Sequence, residues 1–124
     1  MTNHLKLADS YLRLSDEEKK YGNESESITN QREIIRDYCK KQGIIIVSEF
    51  VDDGYSGGNF ERPGFQAMLN HLAAGKANTV ITKDLSRLGR DMTESSYYAE
   101  RFFPGAWYPL SGTGATILTL WAII

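Results

Sequence analysis

Two side chains near the amino terminus, Arg13 and Ser15 in the stretch Tyr11-Leu12-Arg13-Leu14-Ser15, are spaced for chemistry on a phosphate. Two residues apart on a strand, they leave the same face. An arginine fork can hold two phosphate oxygens and offset the charge that grows as a hydroxyl attacks a phosphodiester. R-x-S is a common triplet, so the same spacing also suits a plain strand end. A second cluster, Lys83-Asp84-Leu85-Ser86-Arg87-Leu88-Gly89-Arg90-Asp91, places three cations in a short loop. If that turn is helical, Arg87 and Arg90 project together, three apart. Pairing of Asp84 and Asp91 with these arginines at the surface is the simpler alternative. Between the two clusters runs the loop from Val51 to Gly64, rich in glycine. Ser56 there can donate to a phosphate, and Asp52 or Asp53 can orient an arginine or accept a proton. An ordinary strand-to-helix loop would use the same Asp and Gly residues for turn geometry.

Positioning these residues requires an alternating chain. Ala8 to Ser15 reads as a first strand, and Asp16 to Ser25 as a charged, turn-rich connection. Ile28, Ile34, Ile35, Tyr38 and Cys39 recur through a helix from Ser27 to Gln42, with Gly43 as its stop. The run Ile44 to Val47, then Phe50 and Val51, is a β-branched strand suited to a sheet covered on both faces. Pro63 opens a second helix carrying Phe65, Met68, Leu69 and Leu72, closed by Gly75. Thr79 to Thr82 is a third strand, and Met92, Ser96, Ala99 and Phe103 have helical spacing. This order predicts a three-layer α/β fold with an open, mostly parallel sheet. Ligands then bind outside the carboxyl ends of the strands, where Ser15, Ser56 and Arg87 fall.

Composition narrows the classes. With 14 Lys+Arg against 16 Asp+Glu the net charge is -2, so contact with a polyanion must come from local clusters. Cys39 is the single cysteine, which excludes an internal disulfide and a cysteine-based zinc site and fits a reducing cytoplasm. No uncharged apolar run reaches the roughly 18 residues of a membrane helix.

The loops together resemble the serine recombinase family of resolvases, invertases and transposon-type large recombinases. The resemblance runs collinearly through Y-L-R-L-S, S-I-T-N-Q-R, V-D-D-G-Y-S-G, E-R-P-G-F and K-D-L-S-R-L-G-R-D. It implies a catalytic domain of resolvase type over residues 1–104, incomplete at its carboxyl end. Ser15 would be the nucleophile that forms a phosphoserine link to DNA, and Arg13, Arg87 and Arg90 would hold the scissile phosphate. Gln31, Ser56 and Asp53 would support the site, with Asp52 as the alternative to Asp53, and Arg62 would fix the loop. Tyr11, Lys83 and Ser86 complete the supporting set. Many members carry an aspartate where this chain has Ser86, although transposon-type members often carry the serine. The partners implied are DNA and further recombinase subunits, and no metal or cofactor is implied.

Residues 105–124 contain no Asp, Glu, Lys or Arg, and the resemblance stops before them. A buried strand over Ala115 to Ile124 is one expectation; a shifted reading frame, leaving a truncated protein with unpaired sheet edges, is the other. Three functions follow. The chain is a recombinase catalytic module, or an inactive remnant or interaction module that joins full-length subunits. The third, suggested by Gly112-Thr113-Gly114, is a small phosphate- or nucleotide-binding domain.

Overall fold

The computed structural model of the chain describes residues 5–21, 27–54, 62–88, 107–110 and 115–120. Its centre is β1 (Leu7–Leu14), buried along nearly its whole length. β1 is paired in parallel with β2 (Ile45–Asp53) on one side and β3 (Thr79–Thr82) on the other. The sheet order is β2-β1-β3-β5-β4, with β5 (Ala115–Thr119) parallel to β3 and β4 (Trp107–Leu110) antiparallel to β5.

Alternation along β1 sends Leu12 to one face and Tyr11 to the other. Ala8 and Leu12 meet Ile35 and Cys39 of α2 (Ile28–Gln42), with Ile81 and Leu118 from the sheet. Tyr11 and Val80 meet Phe65, Met68 and Leu72 of α3 (Pro63–Ala73), with Ile117. The two helices therefore cover opposite faces, giving the expected α/β/α layers. Ser27 caps α2 by accepting from the Asn30 N–H at 3.0 Å, and Gly43 ends it in the left-handed region at φ 71°.

Two expectations change. β2 is an edge strand covered only in part: Phe50 packs on the α3 side and Ile46 and Val51 on the α2 side, while Ile45 and Val47 are 48% and 41% exposed. A β-branched run fits any half-covered pleated surface, so it does not report a strand's place in the sheet. Val47 is an extra residue, because the β1–β2 register slips between Ala8 and Asp9, and such bulges are common at sheet edges. The connection after the first strand is also not turn alone, because Asp16–Tyr21 forms a short helix, α1.

The uncharged tail enters the sheet. Ile117 and Leu118 are at most 1% exposed, and β5 covers the edge of β3 that was expected to lie open. β5 lies between β3 and β4 in the sheet. The helix expected over 92–103 lies outside the described residues. Among the described residues, no helix is long and apolar enough to cross a membrane.

Candidate active site

The chain leaves β1 for β2 on one side and returns through α3 to β3 on the other. That reversal makes the carboxyl ends of β1 and β3 a topological switch point, where open α/β sheets bind ligands. Ser15 follows β1, and the 3₁₀ turn Leu85–Leu88, which carries Arg87, follows β3.

Arg13 and Arg87 clasp one another. The Arg13 Nε donates to the Arg87 carbonyl at 3.0 Å, and Arg87 Nη1 donates to the Arg13 carbonyl at 3.0 Å. Both arginines are buried. Burial first, then the Arg87 cation, lower the Arg13 pKa, yet an arginine stays charged in proteins. Two cations thus converge from sequence positions 74 apart. Gln31, fully buried on α2, fixes the Arg13 main chain: its Nε2 donates to the Arg13 carbonyl at 2.9 Å and its Oε1 accepts the Arg13 N–H at 3.3 Å.

Ser15 lies one residue beyond the strand, at the amino cap of α1. Its Oγ accepts the Glu18 N–H at 3.1 Å, while Glu18 Oε1 accepts the Ser15 N–H at 3.1 Å. This is a capping box. The other carboxylate oxygen, Oε2, takes Arg87 Nη1 at 2.7 Å. Burial works to raise the Glu18 pKa, but bonds from Ser15 and Arg87 outweigh it and hold the carboxyl below its usual range. Sequence reasoning missed Glu18. The signal was Ser15-Asp16-Glu17-Glu18, which has capping-box spacing. Arg87 also lies 3.6 Å from Asp84 through Nε, the pairing anticipated for that aspartate.

A third layer holds the turn. Tyr11 Oη donates to Asp52 Oδ2 at 2.7 Å and accepts Arg62 Nη1 at 3.1 Å. Arg62, 1% exposed, also donates to the Arg87 carbonyl at 3.1 Å and through Nη2 to the Leu88 carbonyl at 2.8 Å. Its guanidinium lies 4.1 Å from the centre of the Phe65 ring. Asp52 accepts the Gly64 and Phe65 N–H groups at 2.8 Å each, pinning the start of α3. Burial, then the Asp52 bond, raise the Tyr11 pKa, so the phenol stays protonated.

The two aspartates Asp52 and Asp53 sit in different surroundings. Asp52 is buried in this network, whereas Asp53 is exposed and pairs with Lys19 at 3.2 Å. Lys83, 8% exposed, directly follows β3. Ser86 belongs to the 3₁₀ turn. Ser56 and Arg90 lie outside the described residues. Cys39 is in the core, its thiol pushed up to about 11 by burial, and is no nucleophile.

A serine and two clasped arginines thus meet at the switch point of a parallel α/β sheet. The chain matches the family described as Resolvase, N terminal domain, over residues 8–102, and it belongs to that family. Members of the family act on DNA, oligomerise, and carry out site-specific recombination. A Bacillus phage phi105 protein named uncharacterized immunity region protein 3 is 35% identical over 65 residues, 52% of this chain and 77% of that one. The fold is similar to the N-terminal catalytic domain of TP901-1 integrase, with TM-score 0.65, 23% identity, and coverage of 93% of this chain and 77% of that one. It is also similar to a resolvase family site-specific recombinase from Streptococcus pneumoniae, with TM-score 0.63, 20% identity, and coverage of 93% and 72%.

Proposed function

We infer that the chain is a recombinase catalytic module that cleaves and rejoins DNA through Ser15, working within an assembly of recombinase subunits. The Ser15 hydroxyl attacks a DNA phosphorus and gives up its proton, and the bond to the 3′ oxygen breaks. A 5′-phosphoserine bond forms, and the departing 3′ oxygen takes up a proton to become a hydroxyl. A 3′ hydroxyl later attacks that phosphoserine and restores Ser15. The intermediate conserves the bond and divides one difficult displacement into two. Arg13 and Arg87, with Arg90, offset charge on the phosphate oxygens. The observation that carries the reading is the Arg13–Arg87 clasp beside Ser15.

The test is incubation of the protein, with complete partner subunits, on a nicked suicide DNA substrate. A covalent adduct is expected for the wild type and not for Ser15→Ala. Absence of adduct from the wild type removes the reading. A second reading is a module that joins complete recombinase subunits without cutting. Co-purification with such a subunit but no adduct would select it.

A further inference from the structure

Glu18 touches both groups on which the recombinase reading depends, and nothing in that reading uses it. One carboxylate oxygen lies on the Arg87 guanidinium and the other on the Ser15 main chain. A phosphate arriving at Arg87 would meet that carboxylate as a like charge at the same donor. Arg87 is 3% exposed and so cannot swing away to serve both. Glu18 is 29% exposed and can move to water.

We propose that Glu18 is an internal stand-in for the DNA phosphate: it occupies the anion position of Arg87 and holds Ser15 in its capping turn until a phosphodiester displaces it. The proposal rests on the reading of Arg87 as a phosphate-binding residue. Displacement breaks the Glu18 Oε1 bond to the Ser15 N–H, half of the capping box. Arrival of the anion is thereby coupled to loosening of the Ser15 main chain, while the Ser15 Oγ keeps its bond from the Glu18 N–H. Glu18 is a positioning residue, acting through Arg87 and Ser15. Its lowered pKa keeps it ionised at neutral pH, so the device responds to a competing anion and not to mild acid.

The experiment uses the full chain, a short duplex DNA and a salt series, with wild type, Glu18→Gln, Arg87→Ala and the double variant. Glutamine keeps an acceptor for the Ser15 N–H and removes the charge. Glu18→Gln is expected to bind DNA about five-fold tighter or more at fixed salt. Its plot of log affinity against log salt should keep the wild-type slope, since the phosphate reaches Arg87 in both proteins. The gain should vanish in the Arg87→Ala background. Gains that persist there reflect removal of a negative charge anywhere nearby and overturn the proposal. If Glu18→Gln changes nothing while Arg87→Ala weakens binding, the stand-in is refuted and the phosphate site survives. If neither changes binding, the phosphate site itself is wrong and the proposal falls with it. Should Glu18→Gln fail to fold, Glu18→Asp, one methylene too short to span both contacts, is measured instead with the same outcomes. Melting in inorganic phosphate gives a second readout: the midpoint should rise more for the variant than for the wild type, and equal rises count against the stand-in.

Discussion

Replacing Arg62 with methionine removes a buried fork while keeping most of the side-chain volume over the Phe65 ring. The lost contacts are donations to the Tyr11 hydroxyl and to the Arg87 and Leu88 carbonyls. The Arg87 carbonyl keeps its bond from Arg13 Nε, so the main loss falls on Leu88 and Tyr11. A hydrogen bond from a charged donor contributes about 1.5–3 kcal/mol net. Relief of the guanidinium's own desolvation offsets part of the sum, and a loss of about 3 kcal/mol results. For a chain of this size each kcal/mol moves the melting midpoint by about 3–5 °C, so Arg62→Met should melt about 10–15 °C lower by circular dichroism. The turn carrying Arg87 should also lose its register, and DNA affinity should fall below that of the wild type well beneath the midpoint. Arg62→Lys restores the charge without the planar fork and should recover less than half of the loss. A methionine variant melting within about 3 °C of wild type would refute the assignment of Arg62 as the anchor of the turn.

Gly64→Ala should cost about 2 kcal/mol or more, because its Cβ would lie 2.8 Å from the Val51 carbonyl oxygen and 3.0 Å from both Asp52 carboxylate oxygens; an unchanged urea midpoint would show that α3 can shift to accept it. Leu118→Ala should cost about 2–5 kcal/mol, since Leu118 is fully buried between the sheet and α2; a loss under about 0.5 kcal/mol, as for a surface substitution, would mean that the tail is not part of the sheet. Two carboxylates should oppose one another in acid. Glu18, with its pKa lowered below 4.5, adds stability that is present above that value and fades as pH falls through the lowered one. Asp9 is raised above 3.8, first by burial and in spite of His71 at 2.6 Å. Its contribution is therefore complete below 3.8 and is lost as pH rises through the raised value. Melting from pH 3.5 to 7 should show Asp9→Asn gaining on the wild type as pH increases, and a constant difference between them would disprove the raised pKa.

The elements were legible where local rules act. The caps of α2, the proline start of α3 and the buried run Thr79–Thr82 all follow from neighbours in sequence, and the structure reproduces them. The switch point followed from the alternation of strands and helices. What could not be read was β2's place at the edge, since a strand's composition reports its pleated surface and not its neighbours. Short α1 was also hidden. Six residues rich in Glu and Lys carry no apolar stripe, so only the serine-to-glutamate spacing marked it.

The polar residues of β1 show most plainly why a site is harder to read than a fold. In a buried central strand, Asp9, Tyr11 and Arg13 look like interruptions of the apolar pattern, and each bonds to a partner far along the chain. Asp9 meets His71, 62 residues away; Tyr11 meets Asp52, 41 away; Arg13 meets Arg87, 74 away. A buried polar group without a partner costs about 1–3 kcal/mol, so such a strand is tolerable only if the sheet brings those partners in. The chemistry expected of Arg13 and Ser15 therefore depends on the parallel pairing of β1 with β2 and β3, which delivers Asp52 and Arg87 to the same end of the strand. Glu18 is the exception, three residues from Ser15 and hydrogen-bonded to it at once. A local capping box reaches the distant Arg87, and by that bond the short helix α1 comes to hold Ser15.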